Sequence, residues 1–227
     1  AIDQALKIYS GGLGFLAGSH MRSAYNLKQD FVGIGILWKY GYYDQARNQD
    51  QTLNPIWTKK MYSFLEDTGI KFQIEIHNAP VWVKVWYLNP ETFKTCPMFF
   101  LSTDVPENDH ISKTICHKLY DANESTKLAQ YILLGKGGAK LLDEMNLERD
   151  VYHLNEAHGL PAAFYLLRKY GGDLSKVKEK LVFTTHTPEE AGNEKHNLYH
   201  CHDMSYFSGL SIDEVKKIEG VDRSEEH

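Results

Sequence analysis

The stretch DVYHLNEAHGLPAAFYLLRKYGGDLSKVKEKLVFTTHTP, residues 150–188, decides the fold class. Its apolar pattern predicts a short strand at residues 151–154, a helix at about 160–170, and a second strand at 181–184. The pair Gly171-Gly172 stops the helix. A strand, a helix and a strand in this order are typical of an α/β domain with parallel strands.

Polar side chains follow both of these predicted strands. Asn155, Glu156 and His158 come after the first strand, and His186 and Thr187 come after the second. Ligands of α/β sheets bind in the crevice beyond the carboxyl ends of the strands, so we expect both segments to face one cleft. The alternative is a network of hydrogen bonds that only holds the strand ends. The order NEAH lacks the HExxH spacing of a zinc protease, which argues against a metal here.

The rest of the chain fits the same class with one addition. The apolar spacing predicts helices at residues 15–27 and 125–145 and buried strands at residues 31–37 and 98–101. It also predicts a helix at residues 211–219, which is capped by Ser211 and Glu214. Two-residue alternation over 71–76 and 81–87 predicts an antiparallel hairpin. We therefore predict an α/β fold with a mainly parallel sheet and a β-hairpin as an excursion from it.

Composition and charge exclude several classes of protein. The 227 residues are 42% hydrophobic and 24% charged, which is the balance of a folded soluble domain. A net charge of −5 gives no field to attract nucleic acid, and no apolar run reaches the length of a membrane span. Three cysteines without a CxxC pair fit reduced thiols, so we expect a cytoplasmic protein.

Two glycine-rich segments stand out. Ser10-Gly11-Gly12-Leu13-Gly14 opens a predicted helix, where backbone N–H groups can hold a phosphate, although it can equally be a tight turn that only starts the helix. Gly135-Lys136-Gly137-Gly138 lacks the Ser or Thr of a phosphate-binding loop and lies inside a helical pattern. We interpret that segment as close helix packing.

A histidine cluster follows later in the chain and consists of His196, His200 and His202. We interpret it as a surface segment, with a metal site as the alternative.

Five segments in order resemble the α-glucan phosphorylases, in the form of the bacterial glycogen, starch and maltodextrin enzymes with a short amino-terminal region. They are IYSGGLGFLAG (8–18), GIGILWKYGYYDQ (33–45), STDVPEN (102–108), DVYHLNEAH (150–158) and TTHTPEEAGNE (184–194). The resemblance implies the two-domain GT-B glycosyltransferase fold. Residues 1–227 would form a single incomplete domain, the Rossmann-like amino-terminal one.

The implied activity is reversible, retaining phosphorolysis of terminal α-1,4-linked glucose to glucose 1-phosphate. The implied partners are the α-1,4-glucan, inorganic phosphate and, for the full-length enzyme, a second copy in a homodimer. Family members use pyridoxal 5′-phosphate, which is bound to a lysine of the carboxyl-terminal domain. That domain is expected to be absent here, so this chain alone should neither retain the cofactor nor be active.

The resemblance also implies roles for individual residues. Gly11 and Gly12 would hold the substrate phosphate through backbone N–H groups, and Leu13 would lie against the glucosyl unit. His186 would be the catalytic residue that contacts the transferred sugar. The remaining implied substrate-binding residues are Asn155, Glu156 and His158 on the floor of the sugar site, Thr187, and Asn123 in a gate loop. Two alternatives remain: a glycogen-synthase-type transferase that uses a sugar nucleotide, and a noncatalytic glucan-binding module.

Overall fold

The computed structural model describes residues 2–186, 189 and 194–219. The chain divides into two compact units. The first comprises residues 1–73 and 82–127, and the second comprises residues 74–81 and 128–227. The single incomplete domain expected over residues 1–227 stays a prediction.

Four strands form one sheet, and most of their residues belong to the first unit. They are β1 (Gly33–Ile36), β4 (Glu66–Ile76), β5 (Ala79–Leu88) and β6 (Met98–Ser102), in the spatial order β1-β6-β5-β4. A separate antiparallel pair consists of β2 (Asp44–Arg47) and β3 (Leu53–Ile56). The helices of this part of the chain are α1 (Gly12–Asn26), α2 (Pro90–Phe93) and α3 (His110–Thr114), and α4 (Glu124–Ile132) begins here.

This sheet is mixed, which corrects the prediction of a mainly parallel sheet with the hairpin as an excursion. β1 and β6 are parallel, with Gly33 opposite Met98, but β6 and β5 are antiparallel. The hairpin of β4 and β5 turns at His77-Asn78, both with positive φ, as a two-residue hairpin turn requires. Val83 and Val85 of β5 are fully buried, so this strand is stable only inside a sheet. The hairpin is therefore part of the sheet.

An apolar core packs beneath these strands. Leu6, Leu88 and Phe100 are completely buried, and Ala24 of α1 and Met98 of β6 join the same cluster. The predicted helix at 15–27 and the predicted strands at 31–37 and 98–101 are confirmed with shifted ends. Ile36, Phe100 and Leu101 of the two strands are buried, whereas Phe15 and Leu16 at the start of the helix are exposed.

The second unit contains a long helical run and a parallel strand pair. The run consists of the end of α4, a π-helical turn (Leu133–Gly137) and α5 (Gly138–Glu144). The pair is β7 (Tyr152–Asn155) and β8 (Leu181–Thr184), in parallel register from Tyr152–Leu181 to Asn155–Thr184. The other elements are a 3-10 turn (Ala157–Gly159), α6 (Pro161–Lys169), α7 (Leu174–Lys180), α8 (Leu198–Asp203) and α9 (Ile212–Glu219).

Two local predictions are confirmed in this unit. A Cβ on Gly135 would lie 2.6 Å from the carbonyl oxygen of Gly159, so the glycine is there for close packing. At the start of α9, the Ser211 N–H donates to Glu214 Oε2 at 2.8 Å, and the Glu214 N–H donates to Ser211 Oγ at 3.2 Å. This is the reciprocal capping that the sequence indicates. None of the helices among the described residues is long and apolar enough to cross a membrane.

Candidate functional site

The parallel pairing of β7 and β8 brings their carboxyl ends side by side. Asn155 is the register partner of Thr184, the last residue of β8. One residue further on, the Glu156 N–H donates to the Thr184 carbonyl oxygen at 2.9 Å. The side chains that follow the two strands are therefore close neighbours, as the sequence predicts.

His186 is held to the end of β7 by two hydrogen bonds. Its backbone N–H donates to Glu156 Oε1 at 2.6 Å. Its ring nitrogen Nε2 lies 2.7 Å from Asn155 Oδ1. Because an amide oxygen only accepts, this second bond needs the hydrogen on Nε2. Asn155, Glu156 and His186 thus form one hydrogen-bonded cluster.

Glu156 has a backbone conformation that is rare for a residue with a side chain. Its φ is 64° and its ψ is 178°. Such a conformation costs of order 1–3 kcal/mol and persists where surrounding contacts fix it. The contacts of Glu156 with Thr184 and His186 supply that constraint. Strain of this kind is often found at ligand sites.

His158 lies in the 3-10 turn that follows, and its side chain is exposed. Its ring centroid lies 5.1 Å from that of Tyr131, with the ring planes at 37°. Within β7, His153 Nε2 lies 2.7 Å from Thr184 Oγ1. Polar groups therefore surround this strand end.

The glycine-rich turn lies in the first unit. Gly11 precedes α1 with φ 75° and ψ −172°, a conformation that is essentially restricted to glycine. Open space surrounds the Cβ positions of Gly11 and Gly12, whereas a Cβ on Gly14 would overlap the Tyr9 ring. Leu13 is 40% exposed. The backbone at Gly11 and Gly12 is thus accessible to an anion from solvent.

Asn123 also lies in the first unit, and its side chain caps α4. Asn123 Oδ1 accepts from the Thr126 N–H at 2.9 Å and from Thr126 Oγ1 at 3.2 Å. Nearby, the Tyr120 hydroxyl donates to the Ser10 carbonyl oxygen at 3.4 Å, which links the segment before α4 to the glycine-rich turn. The sequence analysis missed both contacts, although Asn123 followed by Ser125 and Thr126 is a recognisable helix start.

Two other expectations concern residues 187–202. Thr187 lies outside the described residues. His200 and His202 belong to α8, where the Asn197 side chain accepts from the His200 N–H at 3.0 Å. Across the part of the chain that the structure describes, no three His, Cys, Asp or Glu side chains come together as a metal site would require.

A cluster that the sequence analysis did not single out adjoins His158. The Tyr131 hydroxyl donates to Glu194 Oε2 at 2.7 Å, and His196 Nε2 lies 3.1 Å from the same oxygen. Burial first, and then the hydrogen bond to Glu194, raise the pKa of Tyr131 above its usual value. No sequence signal pairs residues 63 positions apart, so only the structure reveals this contact.

Comparison with known proteins gives related sequences, although no family model matches the chain. An uncharacterized protein of Methanocaldococcus jannaschii is 46% identical over 220 residues, which cover 97% of this chain and 42% of that protein. Maltodextrin phosphorylase of Thermococcus litoralis is 32% identical over 236 residues, covering 94% of this chain and 27% of the relative. Glycogen phosphorylase of Mycobacterium tuberculosis is 29% identical over 221 residues, covering 87% and 25%.

The chain is therefore a distant relative of proteins that are named maltodextrin and glycogen phosphorylase. It spans less than half the length of these curated relatives.

Proposed function

We propose that the chain is part of an α-glucan phosphorylase with the GT-B fold, which transfers a terminal α-1,4-linked glucosyl unit from a glucan to inorganic phosphate. The observation that carries the proposal is the hydrogen-bonded cluster of Asn155, Glu156 and His186 at the ends of two parallel strands. This is where α/β sheets bind ligands. The similarity to named phosphorylases supports the same reaction.

His186 is the residue that we assign to the transferred sugar. Its ring is oriented by Asn155 and its backbone by Glu156, so neither needs to reorganise when substrate binds. Glycosyl transfer develops positive charge at the sugar ring, and polar groups fixed in advance stabilise such charge best. Glu156 and Asn155 form the floor of the sugar site together with His158.

In the first unit, we assign Gly11 and Gly12 to the substrate phosphate. Their positions carry no side chain, and the helix that follows directs its N–H groups and its positive dipole end toward an anion. Leu13 offers an exposed apolar surface for the glucosyl unit. We assign Asn123 to the sugar through its amide NH₂ group, because its amide oxygen accepts the hydrogen bond that caps α4. Thr187 is assigned by its place next to His186 alone.

Pyridoxal phosphate supplies an acidic phosphate group in phosphorylases. The resemblance implies that the lysine that binds it lies in the carboxyl-terminal domain. Lys136 is the buried lysine of the described residues, and its Nζ donates to the Glu75 carbonyl oxygen at 3.4 Å. We therefore assign the cofactor to no residue of this chain.

An assay of the complete gene product with different substrate pairs tests the proposal. We expect maltodextrin with inorganic phosphate to give glucose 1-phosphate, and a nucleoside diphosphate glucose with glucan to give no transfer. Transfer from the sugar nucleotide alone would establish a synthase-type enzyme instead. Binding of maltooligosaccharide without either reaction would establish a glucan-binding module.

A further inference from the structure

The ring of Tyr131 forms one wall beside His158. The two ring centroids are 5.1 Å apart, and the planes are tilted by 37°. Tyr131 lies near the end of α4, and His158 lies in the 3-10 turn after β7, so the contact joins two separate elements of the second unit. An exposed imidazole such as that of His158 has many orientations, and a packed neighbouring ring removes most of them.

Glu194 fixes the position of that tyrosine ring. The Tyr131 hydroxyl donates to Glu194 Oε2 at 2.7 Å, and the ring is thereby held at the end farthest from its own backbone. A tyrosine has only two side-chain torsions, so one strong hydrogen bond at the hydroxyl sets its orientation. His196 Nε2, 3.1 Å from the same carboxylate oxygen, holds Glu194 in turn.

We infer that Tyr131 is a positioning residue for His158, with Glu194 as the carboxylate that holds it. The inference rests on the proposed function, in which His158 lines the sugar site. Tyr131 would act through His158 on the placing of the glucosyl unit, without touching the reacting atoms. Small displacements of positioning groups cost much rate, because reacting groups must be held in a narrow range of geometry.

The chain contains a matched tyrosine that allows a controlled test. The Tyr165 hydroxyl donates to Asp143 Oδ2, also at 2.7 Å, within the same unit. Burial first, and then the carboxylate, raise the pKa of Tyr165, as they do for Tyr131. Tyr165→Phe and Tyr131→Phe therefore remove the same kind of hydrogen bond, but only the second lies against His158.

Kinetics of the complete gene product provide the first readout. We expect Tyr131→Phe to lower kcat/KM for glucan phosphorolysis by about tenfold, with the KM for phosphate unchanged. Tyr165→Phe should leave both constants at the wild-type values. It should lower the melting temperature by about as much as Tyr131→Phe does. Equal kinetic effects of the two variants would overturn the inference and leave only a structural role for Tyr131.

The second readout does not depend on activity. In the complete gene product with isotope-labelled histidine, the imidazole resonances of His158, assigned with His158→Gln, should shift and broaden in Tyr131→Phe and stay in place in Tyr165→Phe. Unmoved His158 resonances in Tyr131→Phe would overturn the positioning role. An inactive wild-type gene product would instead refute the proposed function, and the resonances would still decide whether Tyr131 orders His158.

Discussion

The backbone N–H of His186 donates to the side chain of Glu156, with 2.6 Å between the nitrogen and Oε1. This contact joins the residue after β7 to the second residue after β8. The Glu156 carboxylate thereby fixes the His186 backbone amide. The same contact helps to hold Glu156 in its strained backbone conformation. One of the two hydrogen bonds that hold His186 depends on this side chain.

Replacement of Glu156 tests that dependence. Glu156→Ala removes the acceptor, and we expect a loss of about 1–2 kcal/mol in the free energy of unfolding. Glu156→Gln keeps an oxygen that can accept the same bond, so it should lose about half of that or less. Urea denaturation of the three proteins measures the difference. Equal stability of the Ala and Gln variants would mean that the hydrogen bond contributes nothing.

Variants at Gly11, which precedes α1, and at Gly12, the first residue of α1, distinguish backbone strain from ligand access. Gly11→Ala should cost about 1–3 kcal/mol of unfolding free energy, because its φ of 75° suits only glycine, although no atom obstructs a Cβ. Gly12→Ala should leave the stability within about 0.5 kcal/mol of the wild type.

In the complete gene product, Gly12→Ala should nevertheless raise the KM for phosphate several-fold, since the methyl group would stand where the anion approaches the backbone. An unchanged KM for phosphate in this variant would remove the turn from the proposed phosphate site.

Gly135 tests the close contact in the second unit. Gly135→Ala would bring a Cβ to 2.6 Å from the Gly159 carbonyl oxygen, and backbone cannot move aside as a flexible side chain can. We expect a loss of about 1–3 kcal/mol, measured by thermal or urea unfolding. Gly12→Ala, whose added Cβ would meet nothing within 4 Å, should cost less. The reverse order of the two variants would contradict this packing.

Cys96 predicts a pH dependence of stability at alkaline pH. Burial raises the pKa of its thiol to about 11. The folded state therefore keeps the thiol protonated while the unfolded state ionises near pH 8.5, so stability is present below that pH and is lost as the pH rises toward 11. Between pH 8 and pH 10 we expect the wild type to lose about 1–2 kcal/mol more than Cys96→Ala. Parallel pH profiles of the two proteins would show that Cys96 does not contribute.

The strand–helix–strand order at residues 150–188 could be predicted because each element has its own apolar period and its own stop signal. The capping of α9 and the packing of Gly135 were also predictable, since both depend on residue types at short spacing. The grouping of Asn155, Glu156 and His186 followed from the rule that parallel strands end at one edge.

Two other contacts between distant segments could not be predicted. The pairing of β5 with β6 depends on which neighbour buries the valines of β5, and alternation alone does not identify that neighbour. The bond between Tyr131 and Glu194 joins a helix to a loop through side chains that have no distinctive pattern. Periodicity along the chain predicts the helices and strands, but it does not identify the partners in these two contacts.

Phosphorus NMR of the complete gene product during incubation with maltodextrin and inorganic phosphate tests the central claim most directly. We expect the phosphate signal to decrease while that of α-glucose 1-phosphate grows, and His186→Ala to suppress this conversion by about a hundredfold or more. A phosphate signal that stays constant in the wild type, with no glucose 1-phosphate formed, would contradict the proposed phosphorylase function.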